Sequence, residues 1–114
     1  MSEITGIARQ KIHPGKLDEF KRLAAECMRV AREKDNGTLQ YDFYFNADES
    51  ECIVVERYRD SGALQEHLQN LGDLMGEVMA ICSTTGEVLG EPTPELAQGL
   101  ASYGVPVYKS WLKL

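Results

Sequence analysis

Between Leu39 and Tyr58 the chain reads as two strands joined by a turn. Leu39, Tyr41, Phe43 and Phe45 alternate with Gln40, Asp42, Tyr44 and Asn46, a period of two that predicts one strongly apolar face. Asn46–Glu51 is polar, and Cys52-Ile53-Val54-Val55-Glu56-Arg57-Tyr58 returns as the partner strand. So short a connection favours an antiparallel hairpin. The second strand carries hydrophobic residues on both faces. A small two-layer domain covers only one face of its sheet with its own helices, so the other face needs a second layer. In a chain of 114 residues the expected source is another copy.

The flanking segments extend this plan. Ile4–Ile12 reads as a first strand, stopped by His13-Pro14-Gly15, where proline removes a ladder donor and glycine permits a turn. Leu17 to about Glu33 is the clearest helix: Leu17, Phe20, Leu23, Ala24, Cys27, Met28 and Ala31 recur at steps of three and four. Its charged residues fill the opposite, solvated side. Asp35-Asn36-Gly37 ends it, with Gly37 suited to a left-handed helix end. After the hairpin, Asp60 or Ser61 caps a helix whose apolar stripe is Leu64, His67/Leu68, Leu71, Leu74/Met75, Val78 and Cys82. Gly72 breaks or bends it, and Asp73 can cap the second segment. Thr84–Leu89 reads as a fourth strand, Pro94 opens a short helix ended by Gly104, and Val105–Leu114 is an extended tail. Strand, helix, strand, strand, helix, strand is the split βαβ plan of a ferredoxin-like α+β protomer. The expected organisation is one domain over residues 1–114, with a core at 4–89 and an extension at 90–114.

Composition narrows the function classes. A net charge of −6 argues against nucleic acid and anionic membrane surfaces, which select clustered Lys and Arg. No apolar run approaches the ~20 residues of a membrane span, and the first residues lack a signal peptide's apolar centre, so a cytoplasmic protein is expected. Cys27, Cys52 and Cys82 are scattered and lie in apolar settings, which predicts three buried free thiols rather than a disulfide framework or zinc site. His13 and His67 are too far apart to suggest a metal site.

Two polar residues stand out. His67 lies between Leu64 and Leu71 on the helix face that should meet the sheet. Burial there disfavours a charged imidazole and leaves a neutral one able to accept a proton from a phenol or an enolisable carbon. Equally, it could be a core-edge histidine bonded to a backbone carbonyl. Glu56 interrupts an apolar strand. It either forms an ion pair with Arg57, Arg59 or a partner chain, or orients His67 or binds a substrate hydroxyl. Tyr41, Phe43, Tyr44 and Tyr58 supply rings for a substrate wall, although aromatic strand residues also build cores. Trp111 is expected to anchor the tail to the body or to a neighbour.

Several segments carry a resemblance: Pro14-Gly15-Lys16 with Phe20, DNGTLQYDFY at Asp35–Tyr44, VVERYRD at Val54–Asp60, and ALQEH at Ala63–His67. Over about Ile4–Leu89 the chain resembles the antibiotic biosynthesis monooxygenases, a group of dimeric α+β barrels that includes quinol monooxygenase-like members. The resemblance implies a ferredoxin-like protomer whose sheet packs on that of a second protomer. It also implies oxidation of anthrones or quinols by molecular oxygen without flavin, haem or metal, the deprotonated substrate reducing oxygen directly. His67 matches the family's helix histidine, Glu56 its strand glutamate, and Tyr58 the aromatic residue that often follows. Haem-degrading relatives use a strand-one asparagine that Ile4–Ile12 lacks, and a later helical histidine where this chain has Glu77 and Val78. The expected function is therefore a cofactor-independent monooxygenase acting on a quinol-like or polyphenolic small molecule, with His67 as general base. Two alternatives stay open: an isomerase or lyase using the same base on a small oxygenated metabolite, and a non-catalytic dimeric small-molecule-binding or stress-response protein.

Overall fold

The structure, a computed structural model, describes residues 2–114. The elements are β1 (Ile4–Ile12), α1 (Leu17–Lys34), β2 (Thr38–Phe45), β3 (Glu51–Tyr58), α2 (Ser61–Leu71), α3 (Asp73–Ala80), β4 (Cys82–Leu89), α4 (Pro94–Ser102) and β5 (Val107–Tyr108). The sheet order is β2-β3-β1-β4-β5. The first four strands pair antiparallel and β5 joins β4 in parallel. This is the ferredoxin-like α+β arrangement with a C-terminal addition.

The hairpin forms where the alternation places it, with Tyr41 opposite Glu56, Phe43 opposite Val54 and Phe45 opposite Cys52. An irregularity between Thr38 and Gln40 takes Leu39 out of that series, and it is half exposed. Helix-facing residues of the sheet pack with α1, α2 and α3 around Phe20, Leu23, Cys27, Val30, Cys52, Val54, Leu71, Val78 and Cys82. A second cluster, built on Ile4, Tyr58, Ala63, Leu64 and Val88, takes in Leu96 of α4. The extension thus packs on the body of the same chain through α4, beginning at Thr93, whose hydroxyl accepts from the Leu96 N–H. Beyond β5 the tail is exposed, and Trp111 is 88% accessible rather than anchored to the body of the chain.

Three local expectations need correction. The fourth strand begins at Cys82, two residues earlier than read, because its pairing with β1 continues to Ile12. Asp73 lies in the first turn of α3 without capping it through its side chain; the preceding Gly72, at φ 52°, separates the two helices. Gly37 does not adopt a left-handed conformation. Its requirement is space: a Cβ there would lie 2.5 Å from that of Ala63, where the start of β2 passes against α2.

Asp60, as expected, caps α2 by accepting from the Ala63 N–H. Cys27, Cys52 and Cys82 are buried and free. Burial pushes the Cys52 thiol up to about 11, which leaves it protonated and unreactive near neutrality. Among the described residues no helix is long and apolar enough to cross a membrane.

Candidate active site

α1 ends where Asp35 turns into extended backbone (φ −74°, ψ 136°). Its N–H still closes the helix on the Ala31 carbonyl, while its carboxylate lies against α2. The adjoining loop is tied to the same helix, since the Asn36 backbone N–H and side-chain amide both donate to the Glu66 carboxylate at 2.8 Å. Asp35 Oδ2 lies 2.6 Å from His67 Nδ1 and also accepts from the Thr38 hydroxyl, while Oδ1 accepts from the Asn70 amide. His67 and Asn70 are three residues apart and so share one face of α2.

Asp35 and His67 are both buried, with side chains only 2% accessible. Burial alone would raise the Asp35 carboxyl. Hydrogen bonds from Asn70, Thr38 and His67, with the charge of His67, outweigh it and hold the carboxyl below its ordinary range. An ionised Asp35 can only accept, so Nδ1 is the nitrogen that donates to it, and in a neutral imidazole the lone pair then falls on Nε2.

That second nitrogen faces Glu56 Oε1 at 4.0 Å. The Tyr58 hydroxyl donates to the same carboxylate, while Arg57, on the other side of the sheet, pairs with Glu3 and Gln40. The ring of Tyr41 meets His67 edge-on at 4.7 Å and that of Tyr58 lies 5.4 Å away. Burial pushes both phenols well above their ordinary range, with the Cys27 thiol next in effect at Tyr41 and the Glu56 carboxylate at Tyr58.

Burial also raises the Glu56 carboxyl, against the opposing effects of the Tyr58 hydrogen bond and the His67 charge. A carboxyl raised in the fold binds more protons folded than unfolded. Its contribution to stability therefore falls as pH climbs from the ordinary carboxylate range through the raised value. Glu56→Gln keeps an acceptor for Tyr58 and removes that titration. The variant should melt higher than wild type at pH 8, with the difference closing near pH 4 in thermal denaturation followed by circular dichroism.

Glu56 and His67 open onto one cavity of about 130 Å³ between the helices and the sheet. Phe20, Val54 and Leu71 line its apolar part, together with Tyr41, Phe43 and Cys27. Leu68, Met75 and Met79 line it as well and are partly exposed, which places its mouth along α2 and α3. The expected site residues therefore separate. His67, Glu56, Tyr41 and Phe43 share the cavity, and Tyr58 stands behind Glu56 without lining it. Tyr44 lies on the opposite face, 54% exposed, because alternation along β2 turns it away from Tyr41 and Phe43. Asp35 is the member that sequence reading passed over. Among the described residues no group of His, Cys, Asp and Glu is arranged to hold a metal ion.

Residues 4–72 match the family model for antibiotic biosynthesis monooxygenases, more than half of the chain. The chain belongs to the antibiotic biosynthesis monooxygenase (ABM) family. Among solved structures with a similar fold, MupZ from Pseudomonas fluorescens is 24% identical with a TM-score of 0.87, covering 98% of this chain and 93% of its own. Rv0793 from Mycobacterium tuberculosis is 25% identical with a TM-score of 0.70, over 80% of this chain and 96% of its own. SnoaB, a cofactor-independent oxygenase from Streptomyces nogalater, is 16% identical with a TM-score of 0.68, over 80% and 94%. The MupZ likeness takes in the C-terminal extension of this ABM protein. Comparison with curated proteins finds no match.

Proposed function

We propose that this ABM protein is a cofactor-independent monooxygenase of a quinol-like or polyphenolic small molecule, with His67 as its general base. The observation that carries the reading is the fixed imidazole: buried Asp35 holds Nδ1, Nε2 lies toward Glu56, and both His67 and Glu56 line an aromatic-walled cavity. A substrate hydroxyl beside Nε2 would give up its proton there. The resulting imidazolium would stand between Asp35, at 2.6 Å, and Glu56, at 4.0 Å, and these carboxylates offset the penalty of a buried cation. The electron-rich substrate anion then reduces molecular oxygen directly. One oxygen atom bonds to ring carbon and the other leaves as water, so hydroquinone and O₂ give a hydroxyquinone and water. The SnoaB likeness supports oxygen chemistry without a cofactor in this fold.

The test is oxygen uptake with a panel of hydroquinones, with product labelling by ¹⁸O₂. One O₂ consumed per product, with one labelled oxygen retained, is expected. Turnover without oxygen uptake would favour an isomerase or lyase, and saturable binding without product would favour a binding protein.

The proposal includes a homodimer joined through the sheet. On the face away from the helices, Ile7, Ile53 and Val55 are at least partly accessible and Tyr44 stands beside Ile53. An apolar patch of this kind on the open side of a sheet supports a partner layer. A monomer mass independent of concentration in solution scattering would refute it. Three buried free thiols fit a reducing cytoplasmic setting.

A further inference from the structure

Gln10 Oε1 is the one buried side-chain oxygen or nitrogen without a hydrogen-bond partner among the described residues, and Gln10 lines the same cavity as His67 and Glu56. An orphaned buried acceptor is costly and is rare in native proteins, so finding one on a residue that lines a ligand cavity is informative. Register shows where it sits. Along the helix face of β1, Gly6 is opposite Glu56, Ala8 opposite Val54 and Gln10 opposite Cys52. Gln10 therefore lies four residues along the sheet from Glu56, roughly 13 Å at the backbone. The small Ala8 and apolar Val54 line the space between the two levels. Thr84, paired with Gln10 across β1 and β4, also lines that end and is polar.

The cavity thus has two polar ends separated by an apolar middle. One end, His67 with Glu56, suits deprotonation. The other carries the Gln10 amide, whose oxygen has no partner in the protein and would meet a ligand once the amide turns toward the cavity. The volume of about 130 Å³ is close to the ~150 Å³ of a dry cavity known to hold benzene, so the enclosed part fits about one aromatic ring. We propose that Gln10 is a specificity residue whose carbonyl oxygen accepts a hydrogen bond from a second hydroxyl, remote from the reacting one, on a single-ring diol. This selects a diol over a mono-hydroxylated ring of the same size, and it rests on the quinol reading above.

Anaerobic calorimetry with hydroquinone and 4-methylphenol tests it, since the two are similar in size and only the first has a donor at the far end. Wild type should bind hydroquinone about tenfold tighter, the worth of one hydrogen bond with a buried partner. Gln10→Leu should abolish the preference without lowering the melting temperature. Gln10→Met, closer in length, is measured alongside, so that a folding defect in one variant does not remove the test. A preference that survives both substitutions, or is missing from wild type, overturns the Gln10 assignment and leaves the quinol reading standing. Failure of both compounds to bind overturns the two together.

Discussion

Replacing His67 by glutamine is expected to slow quinol oxidation by about 10²–10⁴-fold, the usual worth of a positioned general base. Glutamine is a close polar replacement that can bond Asp35, so the deficit should appear in turnover with little loss of fold. The pH profile separates a base from a wall. A phenol ionises unaided near the ~10 typical of tyrosine, so the variant's deficit should shrink as pH approaches that value. Initial oxygen-uptake rates from pH 6 to 10, corrected for autoxidation, provide the measurement. A variant as fast as wild type at neutral pH would end the general-base assignment.

Asp35→Asn should cost a similar factor, about 10²–10⁴-fold in kcat, without removing any group that lines the cavity. The carboxylate accepts the Nδ1 proton; an asparagine amide can donate instead, which moves the imidazole proton to Nε2 and removes the lone pair facing the cavity. Asp35 is in this sense a positioning residue. ¹⁵N shifts of the imidazole should change from the Nδ1–H to the Nε2–H tautomer, a signature that loss of packing alone would not produce. Stability should fall as well. Because the Asp35 carboxyl is held below its ordinary range, its contribution is present above the unfolded value and is lost as pH falls through the depressed one. The denaturation difference between wild type and Asp35→Asn should therefore be largest near neutrality and diminish in strong acid. Unchanged turnover with an unchanged tautomer would refute the role.

Much of the fold was legible because its signals are local. The alternation of β2, the three-and-four spacing of α1, the Asp60 cap and Pro94 at the start of α4 are each written within a few residues. His67 and Glu56 could be singled out because each interrupts an apolar stripe. Asp35 could not be. An aspartate before Asn-Gly reads as a helix end, and its meeting with His67 and Asn70 spans 32 and 35 residues of sequence. The only trace was His67 and Asn70 sharing a helix face, which names no partner. Gly37 misled for the same reason: its constraint is Ala63 across the interface, not its own backbone. Tyr44 resembles its aromatic neighbours in type, but alternation assigns it to the other face. The orphaned Gln10 oxygen is a property of packing and has no sequence signature.

The interruption at Gly72 divides labour within the molecule. The imidazole is mounted on α2 and braced by the end of α1, whereas Met75, Val78 and Met79 belong to α3, beyond a single glycine joint. Met75 and Met79 put flexible thioethers at the cavity mouth, and exchanging them would reshape that mouth without touching the Asp35–His67 brace. If His67 is the base proposed above, chemistry and substrate choice can diverge independently, one proton-transfer apparatus being retained while the range of compounds it serves is changed.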